Sequence, residues 1–255
     1  MNVDRFITII ALGIAEVGLC MSLTNNRYIL FGNFIGTCII VVILYKIERA
    51  LRDSQGEFLS KCAFYLSKTK DKFVIKYEEA RYRYVTKNEM EYSKSVDIVS
   101  KVNNLDRIEE KYSWSSYGKN VKVEPMRVEH EINYLAAQNV WTRFEILFNK
   151  RLAKKELINT GFKVNGLVDE LGIAKPFLSL STYWKIKERK MVVIIPQNLE
   201  PQNGRFEIYL GGQAGKVLKS EPLEYDRTIG GYQKTIKYPR TGRTYSIVWE
   251  WKSSS

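Results

Sequence analysis

The feature that most constrains this chain is a pair of apolar runs at its amino terminus. Phe6 to Leu23 carries a single charge, Glu16, and Ile29 to Tyr45 carries none, with Asn33 and Thr37 among its few polar members. Thr24-Asn25-Asn26-Arg27 separates the runs. At about 1.5 Å of rise per helical residue, each run spans roughly 26–27 Å. That approaches the roughly 30 Å hydrocarbon layer of a bilayer, with Tyr28, Tyr45 and Lys46 placed to reach the interface. The runs are therefore read as a two-helix transmembrane hairpin over residues 1–46. A cleaved signal peptide would explain neither the second run nor the carboxyl group inside the first.

Charge is divided as sharply as hydropathy. The formal net charge is +12. Residues 1–45 hold only Asp4, Arg5, Glu16 and Arg27, which sum to zero, so the whole excess lies in residues 46–255. Lys46, Arg49 and Arg52 follow the second run directly, whereas the turn offers Arg27 alone. The positive-inside rule then places both termini in the cytoplasm and makes the chain a multi-pass membrane protein. Cys20, Cys38 and Cys62 form no disulfide framework, in keeping with a reducing compartment.

Within the hairpin, Gly32 and Gly36 have the GxxxG spacing, and Ala11 and Ala15 repeat the small-residue spacing on the first helix. Small residues four apart let helix backbones approach closely, within one hairpin or between copies. Glu16 would cost about 2.5 kcal/mol or more in hydrocarbon, so it should face protein or water, with Asn33 of a partner helix as one partner. Glu16, Gly32, Asn33 and Gly36 are the candidate transmembrane assembly residues, and a homo-oligomer in the lipid bilayer is the expectation.

Residues 47–72 read as a helical connector, since Leu51, Phe58, Leu59, Cys62, Ala63 and Leu66 recur at helical spacings opposite a charged face. From residue 73 to 252 the period changes to two. Glu79 to Val85, Met90 to Val102, Ile108 to Trp114, Val121 to Val123, Val140 to Phe148, Leu157 to Val168, Phe177 to Lys187, Met191 to Ile195, Arg205 to Leu210, Lys216 to Leu218, Tyr232 to Tyr238 and Tyr245 to Trp251 read as strands joined by Gly, Asn and Pro turns. The fold class is an all-β domain, an antiparallel sandwich, Ig-like, or a barrel, preceded by the helical hairpin. The five Trp residues fall in these strands and are assigned to the core.

Catalytic patterns are missing from the sequence. The sole histidine, His130, stands between Glu129 and Glu131, and no His/Cys set has the spacing of a metal site. No cofactor, metal or enzymatic activity is expected. Gly211-Gly212-Gln213-Ala214-Gly215-Lys216 has one residue too few for a phosphate loop and continues into Val217, so it reads as a hairpin turn, as does Gly230-Gly231.

The basic residues gather at strand ends and hairpins: Lys150, Arg151, Lys154, Lys155; Lys185, Lys187, Arg189, Lys190; Lys234, Lys237, Arg240, Arg243. They form either a solvated rim attracted to anionic lipid or an anion pocket in which Arg holds phosphate and an aromatic ring stacks on a base. For the pocket the candidates are Arg151, Trp184, Lys187, Arg189, Arg240 and Arg243. Duplex nucleic acid is not an expected partner, because the sequence contains no recognition helix or RNA-binding fingerprint.

Two apolar helices, a short connector and a β-rich body, in that order, resemble the two-transmembrane β-rich effectors of bacterial cyclic-oligonucleotide anti-phage systems. Tyr112-Ser113-Trp114-Ser115, Ala174-Lys175-Pro176-Phe177 and Tyr245 with Trp249-Glu250-Trp251 also look like stretches of a β-rich bacterial signalling module. The resemblance implies a body that responds to a cyclic oligonucleotide or a protein partner, and hairpins that oligomerise to disrupt the inner membrane. The alternative is a membrane-anchored Ig-like adaptor that recruits a protein partner without sensing a ligand.

Overall fold

In the computed structural model the described residues are 60–65, 71–86, 88–114, 121–136, 141–168, 176–195, 199, 201–212 and 214–251. The chain divides into two units, Met1–Leu59 and Ser60–Ser255. The two apolar runs, with Glu16, Gly32, Asn33 and Gly36, and most of the connector lie outside the described residues. Among the described residues no helix is long and apolar enough to cross a membrane. Residues 60–65 are helical.

The other regular elements among the described residues of the second unit are strands. Its strands are β1 (Phe73–Tyr84), β2 (Glu89–Ser100), β3 (Leu105–Tyr112), β4 (Lys122–Pro125), β5 (Glu131–Tyr134), β6 (Thr142–Leu152), β7 (Leu157–Val168), β8 (Phe177–Ser181), β9 (Ile186–Ile194), β10 (Pro201–Leu210), β11 (Lys216–Pro222), β12 (Gly231–Lys237) and β13 (Arg243–Trp251). They form a six-stranded sheet β12-β9-β1-β2-β7-β4, a four-stranded sheet β11-β10-β13-β8 and a three-stranded sheet β3-β6-β5. Three sheets with open edges make a layered, sandwich-like all-β domain, not a closed barrel.

The expectation of a purely antiparallel domain needs correction. β1 pairs with β9 in parallel, Ile75 opposite Ile186 and Arg83 opposite Ile194. A parallel pair requires a long crossover, and here β2 to β8 supply it. The expected single strand Phe177–Lys187 also divides. It breaks at Thr182–Lys185, so that β8 joins the four-stranded sheet and β9 the six-stranded one, between β12 and β1. Of the five Trp residues, only Trp249 and Trp251 lie in a strand; Trp114, Trp141 and Trp184 flank β3, β6 and β9.

Burial follows the pleat. On β1, Phe73 and Ile75 are buried, and after an irregularity between Ile75 and Tyr77 the buried set becomes Glu78, Ala80, Tyr82 and Tyr84. A one-residue bulge changes which parity faces inward. Rings join this face to the two smaller sheets. Tyr82 and Tyr84 meet Trp249 of β13, with centroids 6.5 and 5.8 Å apart, while Phe162 of β7 meets Phe144 of β6 at 4.8 Å. The Gly211-Gly212 segment is the expected hairpin turn between antiparallel β10 and β11, with φ of 76° and 118°. Those angles favour glycine and leave no helix to follow it, as a phosphate loop would need.

His130 is buried, with its Nδ1 2.9 Å from Thr160 Oγ1 and its ring against Phe148. Burial holds its pKa below the ordinary value of 6.5; Glu129 opposes this and Arg127 adds to it. A depressed histidine means that the unfolded chain takes up a proton before the folded one. The stability that neutral His130 contributes is thus present above about pH 6.5 and is lost as pH falls toward its folded value. Urea unfolding of the parent and His130→Gln at several pH values should show the parent's stability relative to the variant falling on acidification; a constant difference would refute this.

Candidate functional site

Two groupings of charge stand out, one buried and one half-buried at the surface. The buried grouping starts at Glu78 and Arg189, which face each other across β1 and β9. Both are about 1% exposed, and Arg189 Nε donates to Glu78 Oε2. Lys94 of β2 lies 3.0 Å from Glu78 and 2.9 Å from Glu110 of β3. Arg189 further donates to Thr182 Oγ1 at 2.9 Å and to the carbonyls of Leu180 and Ser181 at 3.1 and 3.4 Å. The Tyr245 ring lies 5.8 Å from its guanidinium. The chain Arg189–Glu78–Lys94–Glu110 is neutral overall and touches all three sheets.

Burial alone would raise the Glu78 carboxyl, but Arg189 and Lys94 hold it below the usual carboxylate range. Burial raises the Glu110 carboxyl, and Lys94 opposes this without cancelling it. Burial would lower Lys94, and its two carboxylate partners overcome that and raise it. Four partnered charges, three of them buried and Lys94 nearly so, form a structural tie and offer no open group to a ligand. Arg189 is therefore removed from the candidate ligand residues.

The second grouping is half-buried at the surface of the domain, beside residues 60–65. Tyr238 donates its backbone N–H to the Lys187 carbonyl at 2.7 Å, and Arg243 donates its own to the Arg240 carbonyl at 3.3 Å. Thr182 bonds the Arg243 carbonyl and Gly242 bonds the Thr182 carbonyl, both at 2.9 Å. These bonds bring the β8–β9 link against the β12–β13 turn. The helical residues 60–65 sit on that junction. Arg240 Nε donates to Ser60 Oγ at 3.2 Å, Phe64 meets Tyr238 at 5.5 Å, Lys61 lies 5.9 Å from the Tyr238 ring, and Lys185 lies 5.5 Å from Phe64. Tyr238 has a φ of 51°, a left-handed value that a bulky residue rarely adopts; the surrounding contacts hold it there. Lys61, Lys187, Arg240 and Arg243 have no acid within ion-pair distance among the described residues.

Of the six candidates, the structure thus brings Lys187, Arg240 and Arg243 together. Trp184 is half-buried and packs on Phe73, with centroids 5.2 Å apart, as a core ring. Arg151 is exposed on the three-stranded sheet, near enough to Asp106 to help hold that carboxyl down, behind the stronger effect of Arg107. Lys61, which is exposed, and half-buried Phe64 and Tyr238 complete the corner and were not legible as site residues. Lys61 and Phe64 belong to a helical segment and Tyr238 to a strand end, and no spacing rule connects them. Among the described residues no group of His, Cys, Asp and Glu has the arrangement to hold a metal ion.

No protein-family model and no curated protein matches the chain. Solved structures with partial likeness include a two-domain M1 zinc metallopeptidase bound to L-tryptophan, at 8% identity and a TM-score of 0.37, covering 70% of this chain and 43% of that one. An M1 zinc metallopeptidase from Deinococcus radiodurans gives 7% and 0.35, covering 70% and 42%. This chain spans less than half the length of those enzymes, and likeness at this level carries no inference about activity.

Proposed function

We propose that this protein is a membrane-anchored sensor–effector of bacterial anti-phage defence, without enzymatic activity. An N-terminal hairpin holds it in the inner membrane, and its β domain responds to a nucleotide-type anion or a protein partner. The observation that carries this reading is the half-buried corner, where Lys187, Arg240 and Arg243, with no acid within ion-pair distance among the described residues, stand beside Tyr238 and Phe64. Guanidinium forks suit phosphate, and aromatic rings suit a base face. Because residues 60–65 are part of that corner, an anion seated there touches both the β domain and the end of the connector. A ligand shifts an assembly equilibrium only through its differential affinity for the two states, and a site on the connector is a place where such a difference arises.

The test is calorimetry on detergent-solubilised full-length protein titrated with cyclic di- and trinucleotides. Arg240→Ala with Arg243→Ala should weaken binding at least about tenfold, since hydrogen bonds to charged groups are worth about 1.5–3 kcal/mol each. Binding that the double variant leaves unchanged would remove the corner from the reading.

An adaptor that recruits a protein partner is favoured by one specific observation. The edge strand β11 is exposed along nearly its whole length, and Leu210, Val217 and Leu218 are open beside it. Such an edge accepts an added strand. Absence of any nucleotide binding, with capture of one partner that a proline at Leu218 abolishes, would favour the adaptor.

A further inference from the structure

A second row of cations lies at the same end of the six-stranded sheet, on turns distinct from the corner. The strand register fixes its place. Phe73 at the start of β1 lies opposite Ser100 at the end of β2, and Val99 lies opposite Leu157 at the start of β7. Lys72, Lys101, Lys154 and Lys155 therefore occupy neighbouring strand ends.

The turns that carry them are stitched together. Lys101 N–H donates to the Lys72 carbonyl at 2.8 Å, Ser100 N–H to the Glu156 carbonyl at 3.0 Å and Lys155 N–H to the Ser100 carbonyl at 2.8 Å. Lys154 N–H donates to Asn103 Oδ1 at 2.9 Å. Asn104 and Lys155 have φ of 63° and 71°, and Lys155 holds a left-handed conformation without being glycine. Lys72, Lys154 and Lys155 are exposed, and Lys101 is half-buried. None of the four has an acid within ion-pair distance among the described residues. The adjacent Glu156 is engaged by Lys150 at 2.5 Å and by the Ala153 N–H at 2.9 Å. Two apolar side chains stand open in the same row, Val102 at 37% and Leu157 at 54% exposure.

We propose that this row is a docking face for an anionic phospholipid surface, with the four lysines against headgroup phosphates and Val102 and Leu157 at the interface. Unpaired lysines on a stitched frame give a fixed plane of positive charge, and apolar tips among them suit a surface that is polar outside and oily beneath. Each lysine close to an anionic leaflet strengthens attachment roughly fivefold, and the attraction fades within a Debye length of about 8 Å at physiological salt. The inference rests on the membrane reading for the nearness of a lipid surface, but it uses residues that reading does not.

The test attaches bimane at Leu157→Cys, or at Asn88→Cys in the β1–β2 turn at the opposite end, in full-length protein whose Cys20, Cys38 and Cys62 are replaced by alanine. Each protein is reconstituted with vesicles of brominated phosphatidylcholine, with or without about one quarter phosphatidylglycerol, and floated. The expected result is quenching at position 157 at least about threefold stronger in the anionic vesicles. It should be lost in about 0.5 M salt, where the Debye length is near 4 Å, and absent at position 88. Replacing Lys72, Lys101, Lys154 and Lys155 by glutamine should abolish it without lowering the melting temperature.

Flotation with both vesicle types and equal quenching at 157 in both would overturn the docking face while leaving the hairpin intact. Flotation with anionic vesicles alone, reversed by salt, would uphold the docking face and overturn the hairpin. Protection of the probe by a short DNA duplex but not by anionic vesicles would overturn the proposal in favour of nucleic acid.

Discussion

Arg189→Met is expected to destabilise the β domain by about 3–5 kcal/mol, the range for removing one member of a buried ion pair. The loss comes from what remains behind. Glu78, about 1% exposed, keeps only Lys94, which Glu110 already shares. The carbonyls of Leu180 and Ser181 and the hydroxyl of Thr182 lose their common donor. For a unit of this size the cost should lower the melting temperature by roughly 6–20 °C. Arg189→Met with Glu78→Leu should recover a large part of that loss, because it leaves Lys94 and Glu110 as a neutral pair. Thermal unfolding of the parent, the single and the double variant measures both effects. A double variant no more stable than the single one would show that an uncompensated Glu78 charge is not the source of the cost. Nucleotide binding, if present, should survive Arg189→Met and fail in Arg240→Ala with Arg243→Ala, since only the latter pair reaches solvent at the corner.

Arg189 also shows what the sequence could and could not reveal. It stands among Lys185, Lys187 and Lys190, which reads as an exposed basic cluster. Yet it lies two and four residues before Met191 and Val193, on the same face of β9 as these buried side chains. Period two counted back from Met191 and Val193 contained the answer, whereas counted on from buried Ile186 it points the other way; the break at Thr182–Lys185 that precedes the strand has no glycine or proline to announce it. Strand existence was legible for most of the domain because alternation repeats over many residues. The four-residue β5, Glu131–Tyr134, was not, since its pattern is mostly exposed. The parallel β1–β9 pair was hidden for another reason: pairing partners about a hundred residues apart leave no local trace. The half-buried corner was partly legible. The basic residues of the β8–β9 link and the β12–β13 turn could be named, but their meeting depends on backbone bonds among Thr182, Lys187, Tyr238 and Arg243 that only the fold supplies.

In the hairpin, the proposed function predicts that Gly32→Leu and Glu16→Ala each abolish self-association and any damage to the membrane, and do so while strengthening insertion. The two effects have opposite signs for a physical reason. Removing a carboxylate from the middle of an apolar helix relieves about 2.5 kcal/mol or more of insertion cost, and leucine enters hydrocarbon more readily than glycine. Neither change can release the protein from the bilayer by weakening its anchor. At the proposed helix contact, however, leucine at position 32 would fill the space through which Gly32 and Gly36 would let backbones approach, and loss of Glu16 would remove the hydrogen-bonding partner proposed for Asn33. Alkaline extraction of membranes should therefore leave both variants in the pellet, while cross-linking in intact membranes should show the parent as oligomers and the variants as monomers. Cells expressing the parent with its activating ligand should lose viability, and cells expressing either variant should not. Oligomers retained in both variants would place the assembly contact elsewhere and leave Glu16 and the glycine pair as residues of intramolecular packing.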